Sequence, residues 1–194
     1  MGFFGGKVEE APAAAAGVKG VAVRIALRKL WSDHVIWTRQ YIIAAVAGTP
    51  DAGAAAGRLL QNQDHLGEAI VPYFGRDAGR ELTRLLKEHV GIAVDLIEAA
   101  KTHNTADFQL HDGRWTTNAD AIAGFLSGAN HHWPKKDLQN LLHLHLSLTK
   151  GEVTARIKED WNADVKAFDD IFVEITTVSD ALADGIVKKF PEKF

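Results

Sequence analysis

With 194 residues, 46% of them hydrophobic and 24% charged, the chain has the balance of one globular domain, not of a disordered tail or a membrane span. Twenty-two basic against twenty-five acidic residues leave a net charge of −3, so no basic footprint for nucleic acid or an anionic membrane is present. The absence of cysteine excludes disulfides, thiolate zinc sites, iron–sulfur clusters and cysteine nucleophiles together.

Residues 1–19, rich in alanine and glycine, read as a flexible head. They lack the order of a secretory signal, because the one alanine run is only four residues long and follows acids. Elsewhere Arg, Lys, Asp or His interrupts each apolar stretch well before 18 residues, so no bilayer span is expected and the default location is cytoplasmic. No repeat, linker or low-complexity block divides residues 20–194, which are expected to form a single domain.

Apolar residues recur almost everywhere at helical spacing. The first helix is predicted at about 20–47, with Val23, Leu27, Leu30, His34, Thr38, Tyr41 and Ala45 in one stripe. Gly48 stops it, and Thr49-Pro50 reads as a cap and first-turn proline for a short second helix, about 51–71. Pro72 and Gly75 end that one. Asp77 caps a long third helix to about 103, whose seam is Leu82, Leu86, His89, Ala93, Leu96 and Ala100. A shorter fourth helix ends near Gly128, with Trp115, Asn118, Ile122, Phe125 and Leu126 facing inward.

The loop Asn130-His131-His132-Trp133-Pro134 leads into a fifth helix, about 135–157, with Leu138, Leu142, His145, Thr149 and Glu152 along its seam. The last helix, about 161–188, carries Trp161, Val165, Phe168, Phe172, Ile175, Ser179, Leu182 and Ile186 at spacings of three and four. No run alternates with period two, so no sheet is expected. The fold class that follows is all-α: an antiparallel bundle of four long helices with two additional shorter ones.

Polar residues inside these seams carry the functional signal. His34, His89 and His145 each sit near the middle of a different long helix, on its inward stripe. Midpoints of bundle helices share one level, so the three imidazoles have the placement needed to meet. An unpartnered buried polar group costs roughly 1–3 kcal/mol, against a net stability of about 5–15 kcal/mol. The three must therefore be hydrogen-bonded, wet or bound to metal. Neutral imidazole is the commonest protein ligand for first-row metals, and three of them leave a coordination position open.

Around this core, Thr38 and Thr149 stand one turn beyond His34 and His145, and Tyr41 another turn beyond Thr38. They are candidates for fixing tautomers or lining a wet pocket, and Asn118 for orienting a ligand. Glu152 lies two turns from His145, about 10 Å of rise, too far to share one ion comfortably. It reads as an additional ligand of a second ion, an outer group, or a partner of Arg156. Glu88 points about 100° away from His89 and is a weaker candidate for facing the site. No Glu precedes a histidine by three, as di-iron bundles require, and no His-Glu-x-x-His, phosphate loop or Gly-x-Ser-x-Gly occurs.

Several of these segments resemble a family of small all-helical bacterial proteins. The likeness rests on Trp31-Ser-Asp-His-Val-Ile-Trp-Thr-Arg39, Lys87-Glu-His89, Trp115 with Asn118-Ala-Asp120, and His145 with Thr149 and Glu152. Gly185-Ile186 and Phe190-Pro191 are similar too, so it spans about residues 27–194. The family has no established function, although members often carry a glycosyltransferase label. Such transferases hold sugar nucleotides on an α/β sheet, and this chain offers neither strands nor a phosphate loop. The resemblance implies that His34, Glu88, His89, Asn118, His145 and Glu152 belong to one motif set.

The leading expectation is a metal-binding bundle whose nitrogen and oxygen donors suit zinc, iron, copper or manganese. Turnover of a substrate is not written in the sequence. The alternatives are a metal-free pocket for a small polar or aromatic ligand, and a structural or interaction module with self-satisfied core histidines. The partner is accordingly a metal ion or small molecule, with no nucleic acid or membrane, and a homo-oligomer remains open.

Overall fold

A computed structural model describes residues 17–194. Those residues form six helices and no strand: α1 Val18–Ala47, α2 Ala52–Phe74, α3 Arg76–Lys101, α4 Thr105–Ala129, α5 Lys135–Ile157 and α6 Trp161–Lys189. Four are long, at 30, 26, 25 and 29 residues, and the shorter pair, α2 and α5, have 23 each. The expected head lies outside the described residues as far as position 16, and α1 reaches back to Val18.

The helix ends have local causes. Gly48 closes α1 in the left-handed region, φ 68°, its N–H donating to the Ala44 and Ala45 carbonyls. Pro72 does not end α2, because a proline in the last turn forfeits a single ladder bond, and the helix runs on to Gly75 at φ 86°. Asn104 and Asp160 cap α4 and α6, accepting from the N–H groups of Asp107 and Ala163. Asp51, not Thr49, holds the cap position of α2.

Short connections make sequential helices antiparallel neighbours, and α6 returns against α1 to close a six-membered ring. Within the ring α1, α3 and α5 approach one another across the axis. The ring nonetheless contains an internal repetition. The ring is three helical hairpins, α1–α2, α3–α4 and α5–α6, with matching positions about 55 residues apart. Leu27, Leu82 and Leu138 form one buried layer, His34, His89 and His145 another two turns on, and Ile42, Ile97 and Val153 a further one. Only a few identities recur, so the repeat is a repeat of geometry.

The first half of α6 is rotated from its expected seam. Trp161 and Val165 are 52% and 54% exposed, whereas Asp164, Ile171 and Glu174 are buried. Two carboxylates thus occupy the inward face, where each has a partner described below. At the far end Asn130 Nδ2 donates to the Gly185 carbonyl and Trp133 Nε1 to that of Ala181, pinning the α4–α5 loop onto α6. Gly185 has no side chain there because a Cβ would lie 1.9 Å from Trp133 Nε1.

Candidate metal centre

The three histidines meet on the axis. His34 and His145 have ring centroids 5.7 Å apart and His89 and His145 6.5 Å, and all three are 4–5% exposed. They line one small chamber together with Thr38, Tyr41, Ala93, Trp115 and Thr149. Its free volume is about 20 Å³ for the centre of a water-sized sphere. That admits one water molecule or one ion and no drug-sized ligand, which needs roughly 300 Å³ or more.

Each imidazole is held by the second helix of its own hairpin, by a residue 29 positions on. His89 Nδ1 lies 2.9 Å from Asn118 Oδ1, and His145 Nδ1 2.9 Å from Glu174 Oε2. Both oxygens accept, so both rings carry a proton on Nδ1, which leaves Nε2 as the nitrogen not engaged by these partners. Asn118 is itself fixed, its Nδ2 donating to the Leu85 carbonyl at 3.2 Å. Metal-bound histidines characteristically have this second-nitrogen partner.

His34 is held differently. Its Nδ1 faces Gln63 Nε2 at 3.2 Å, and that nitrogen also donates to the Leu59 carbonyl at 2.8 Å. A carbonyl only accepts, which fixes the amide's orientation. A neutral His34 therefore has its proton on Nε2. Gln63 Oε1 is buried without a partner.

Among the described residues, no three His, Asp or Glu side chains are already gathered at ligating distance. An ion with metal–nitrogen bonds of about 2.0–2.1 Å would place tetrahedrally arranged ring centroids about 5–5.5 Å apart. The His34–His145 separation is within about an ångström of that value and the His89–His145 separation within about 1.5 Å. Two of the rings are also neutral: burial and the neighbouring imidazoles, His145 first, hold His34 well below the ordinary histidine range and His89 at about 3. No proton has to be displaced from either at neutral pH.

The remaining candidates divide. Thr38 and Thr149 line the chamber, but their hydroxyls donate to the carbonyls of His34 and His145 and fix no tautomer. Tyr41 reaches the rim, half-buried. Glu88 is exposed and paired with Arg84, so it does not face the site. Its offset of 100° on the helix is the reason.

Glu152 is buried, but it accepts from Arg39 in a cluster completed by Asp164 and Arg156. Burial pushes its carboxyl up to about 7, against the pull of the Arg39 guanidinium. It ties α1, α5 and α6 together beside the centre and is no ligand of the three-histidine chamber in this arrangement. Its ligand role is therefore corrected to an ion-pair one.

Gln63 and Glu174 were invisible to seam reasoning, which looks for apolar residues and for polar ones directly in line with them. The available signal was the recurring interval: Asn118 follows His89 by 29 residues, and the same step from His34 and His145 lands on Gln63 and Glu174. No protein-family model, curated protein or solved structure matches the chain. No helix among the described residues is long and apolar enough to cross a membrane.

Proposed function

We propose that the chain binds one first-row transition-metal ion through Nε2 of His34, His89 and His145, with Glu174, Asn118 and Gln63 as the outer groups that orient them. The supporting observation is the recurring clamp on Nδ1, which commits one nitrogen of each buried ring and leaves the other to a chamber of ion size. Three imidazoles and one nearby carboxylate suit zinc, iron, copper or manganese. Recruiting His34 requires the Gln63 amide to turn over or the ring to flip, at the loss of one or two hydrogen bonds. That costs about 1–3 kcal/mol, small beside the roughly 10–16 kcal/mol that structural zinc supplies in small domains.

Gln63 also favours a second reading. As the rings stand they present one N–H and two lone pairs, which complement a single water molecule, and the centre would then be a structural polar core. Elemental analysis of untagged, natively purified protein separates the two. About one ion per chain, lost in both His34→Ala and His145→Ala, supports the metal. Metal-free protein that takes up none of the four ions, and is indifferent to chelator, removes it.

A further inference from the structure

Two cavities lie inside the bundle, and their walls have opposite chemistry. The histidine chamber carries imidazole nitrogens, two threonine hydroxyls, Tyr41 and the indole of Trp115, whose Nε1–H is buried without a partner. The second cavity is bordered by Trp31 and Leu142, one turn before His34 and His145 on their helices. Its free volume is the same, about 20 Å³ for the centre of a water-sized sphere. Its wall consists of leucine, isoleucine, valine and tryptophan alone, and the layer of Leu27, Leu82 and Leu138 supplies one residue from each hairpin.

A buried water needs two to four polar partners. The side chains of this wall hold two polar atoms, the indole N–H groups of Trp31 and Trp133, and Trp133 Nε1 already donates to the Ala181 carbonyl at 3.2 Å. All the lining residues but Trp133 lie within helices, so their backbone groups are spent on the helical ladder. One remaining indole N–H is too little to hold water. An apolar occupant needs no such partner and restores the dispersion contacts that the wall atoms otherwise forgo. Taken as round, the space accepts a body roughly 3 Å in radius, enough for xenon at roughly 2.2 Å and far short of a drug-sized ligand.

We propose that this cavity is a binding site for a single apolar molecule of one or two heavy atoms, such as dioxygen or a noble-gas atom, held by dispersion alone. The assignment goes beyond the histidine layer and is independent of what that layer holds. The two neighbouring cavities sort small molecules by polarity, since one wall offers hydrogen bonds and the other offers carbon.

Xenon is the probe. Protein labelled with ¹³C in its leucine and valine methyl groups is equilibrated with xenon at stepped pressures, and helium at equal pressure is the control. The methyl resonances of Leu82, Leu138, Val178 and Leu182 are expected to shift saturably with xenon and not with helium. Those of the exposed Leu60, Leu110, Leu144 and Val173 are expected to drift only linearly. Val178→Ile adds one carbon at the wall. It is expected to weaken the saturable response several-fold and to keep the urea midpoint at or above the wild-type value, because spare room receives the extra carbon.

Cavity methyls that respond to xenon no more than the exposed ones overturn the assignment, whether or not the variant folds. Saturable shifts at the ring protons of His34, His89 and His145, with none at the cavity methyls, overturn it as well, because xenon then prefers the polar chamber. A lowered urea midpoint in Val178→Ile shows a wall with no room to give, and a folded variant with an undiminished xenon response places the site elsewhere; each defeats the proposal.

Discussion

Glu174→Gln separates a metal-orienting carboxylate from a merely buried one. Glutamine keeps an acceptor opposite His145 Nδ1, where Glu174 Oε2 now stands at 2.9 Å, and removes only the charge. Across the imidazole and a metal–nitrogen bond of about 2 Å, that charge lies roughly 6–7 Å from the ion. Coulomb attraction to a divalent ion at an effective dielectric constant near 20 is then about 5 kcal/mol, an upper bound. Substitutions of such outer partners generally weaken metal binding about 10–100-fold, or roughly 1.4–2.7 kcal/mol.

An ion present at about 1,000 times its Kd stabilises the fold by about 4 kcal/mol, and a 30-fold loss of affinity removes about 2 of these. For a domain of this size the loaded melting temperature should fall by about 4–8 °C. The metal-free melting temperature should hold or rise, since Glu174 Oε1 is a buried acceptor with no partner. Thermal unfolding with and without zinc, with chelator competition for affinity, measures both. Equal falls in the two forms, or unchanged affinity, would refute the reasoning.

Asn118→Ala removes the acceptor for His89 and a donor to Leu85, and is expected to cost about 1–3 kcal/mol in urea unfolding besides weakening metal binding. Metal-free protein should lose stability in acid. His89 titrates at about 3 when folded and near 6.5 when unfolded, so the unfolded chain binds more protons between those values. Its contribution is complete above pH 6.5 and falls by about 2 kcal/mol at pH 5, with His34 acting in the same direction. Urea midpoints at pH 7.5 and 5 check this, and His89→Gln should flatten the difference. Gly185→Ala forces Trp133 out of its seat and should destabilise by roughly 3 kcal/mol, with tryptophan emission shifted to the red. A variant with wild-type stability and emission would show that the loop yields freely.

The bundle and its histidine layer are legible in the sequence because hydrophobic spacing is a strong signal on α3 and α5. Leu138, Leu142, His145, Thr149 and Glu152 are all buried as the seam requires. On α6 the same rule fails. Trp161, Val165 and Phe172 are apolar at the right spacing and remain exposed, while Asp164 and Glu174 turn inward to meet Arg39 and His145. A seam rule follows greasy side chains, and a carboxylate inside the core is set by its partner on another helix, which spacing along one helix does not report. The threefold repeat escapes for a related reason. Its clamp positions hold glutamine, asparagine and glutamate, alike in hydrogen bonding to a ring and unlike in spelling.

Each hairpin donates a single imidazole to the axis. A nascent chain that has completed only its first two hairpins therefore owns only two of the three rings, and the chamber between them lacks a wall until α5 arrives with His145 and Thr149. The polar layer at the middle of the bundle is thus the joint product of all three hairpins and belongs to none of them alone.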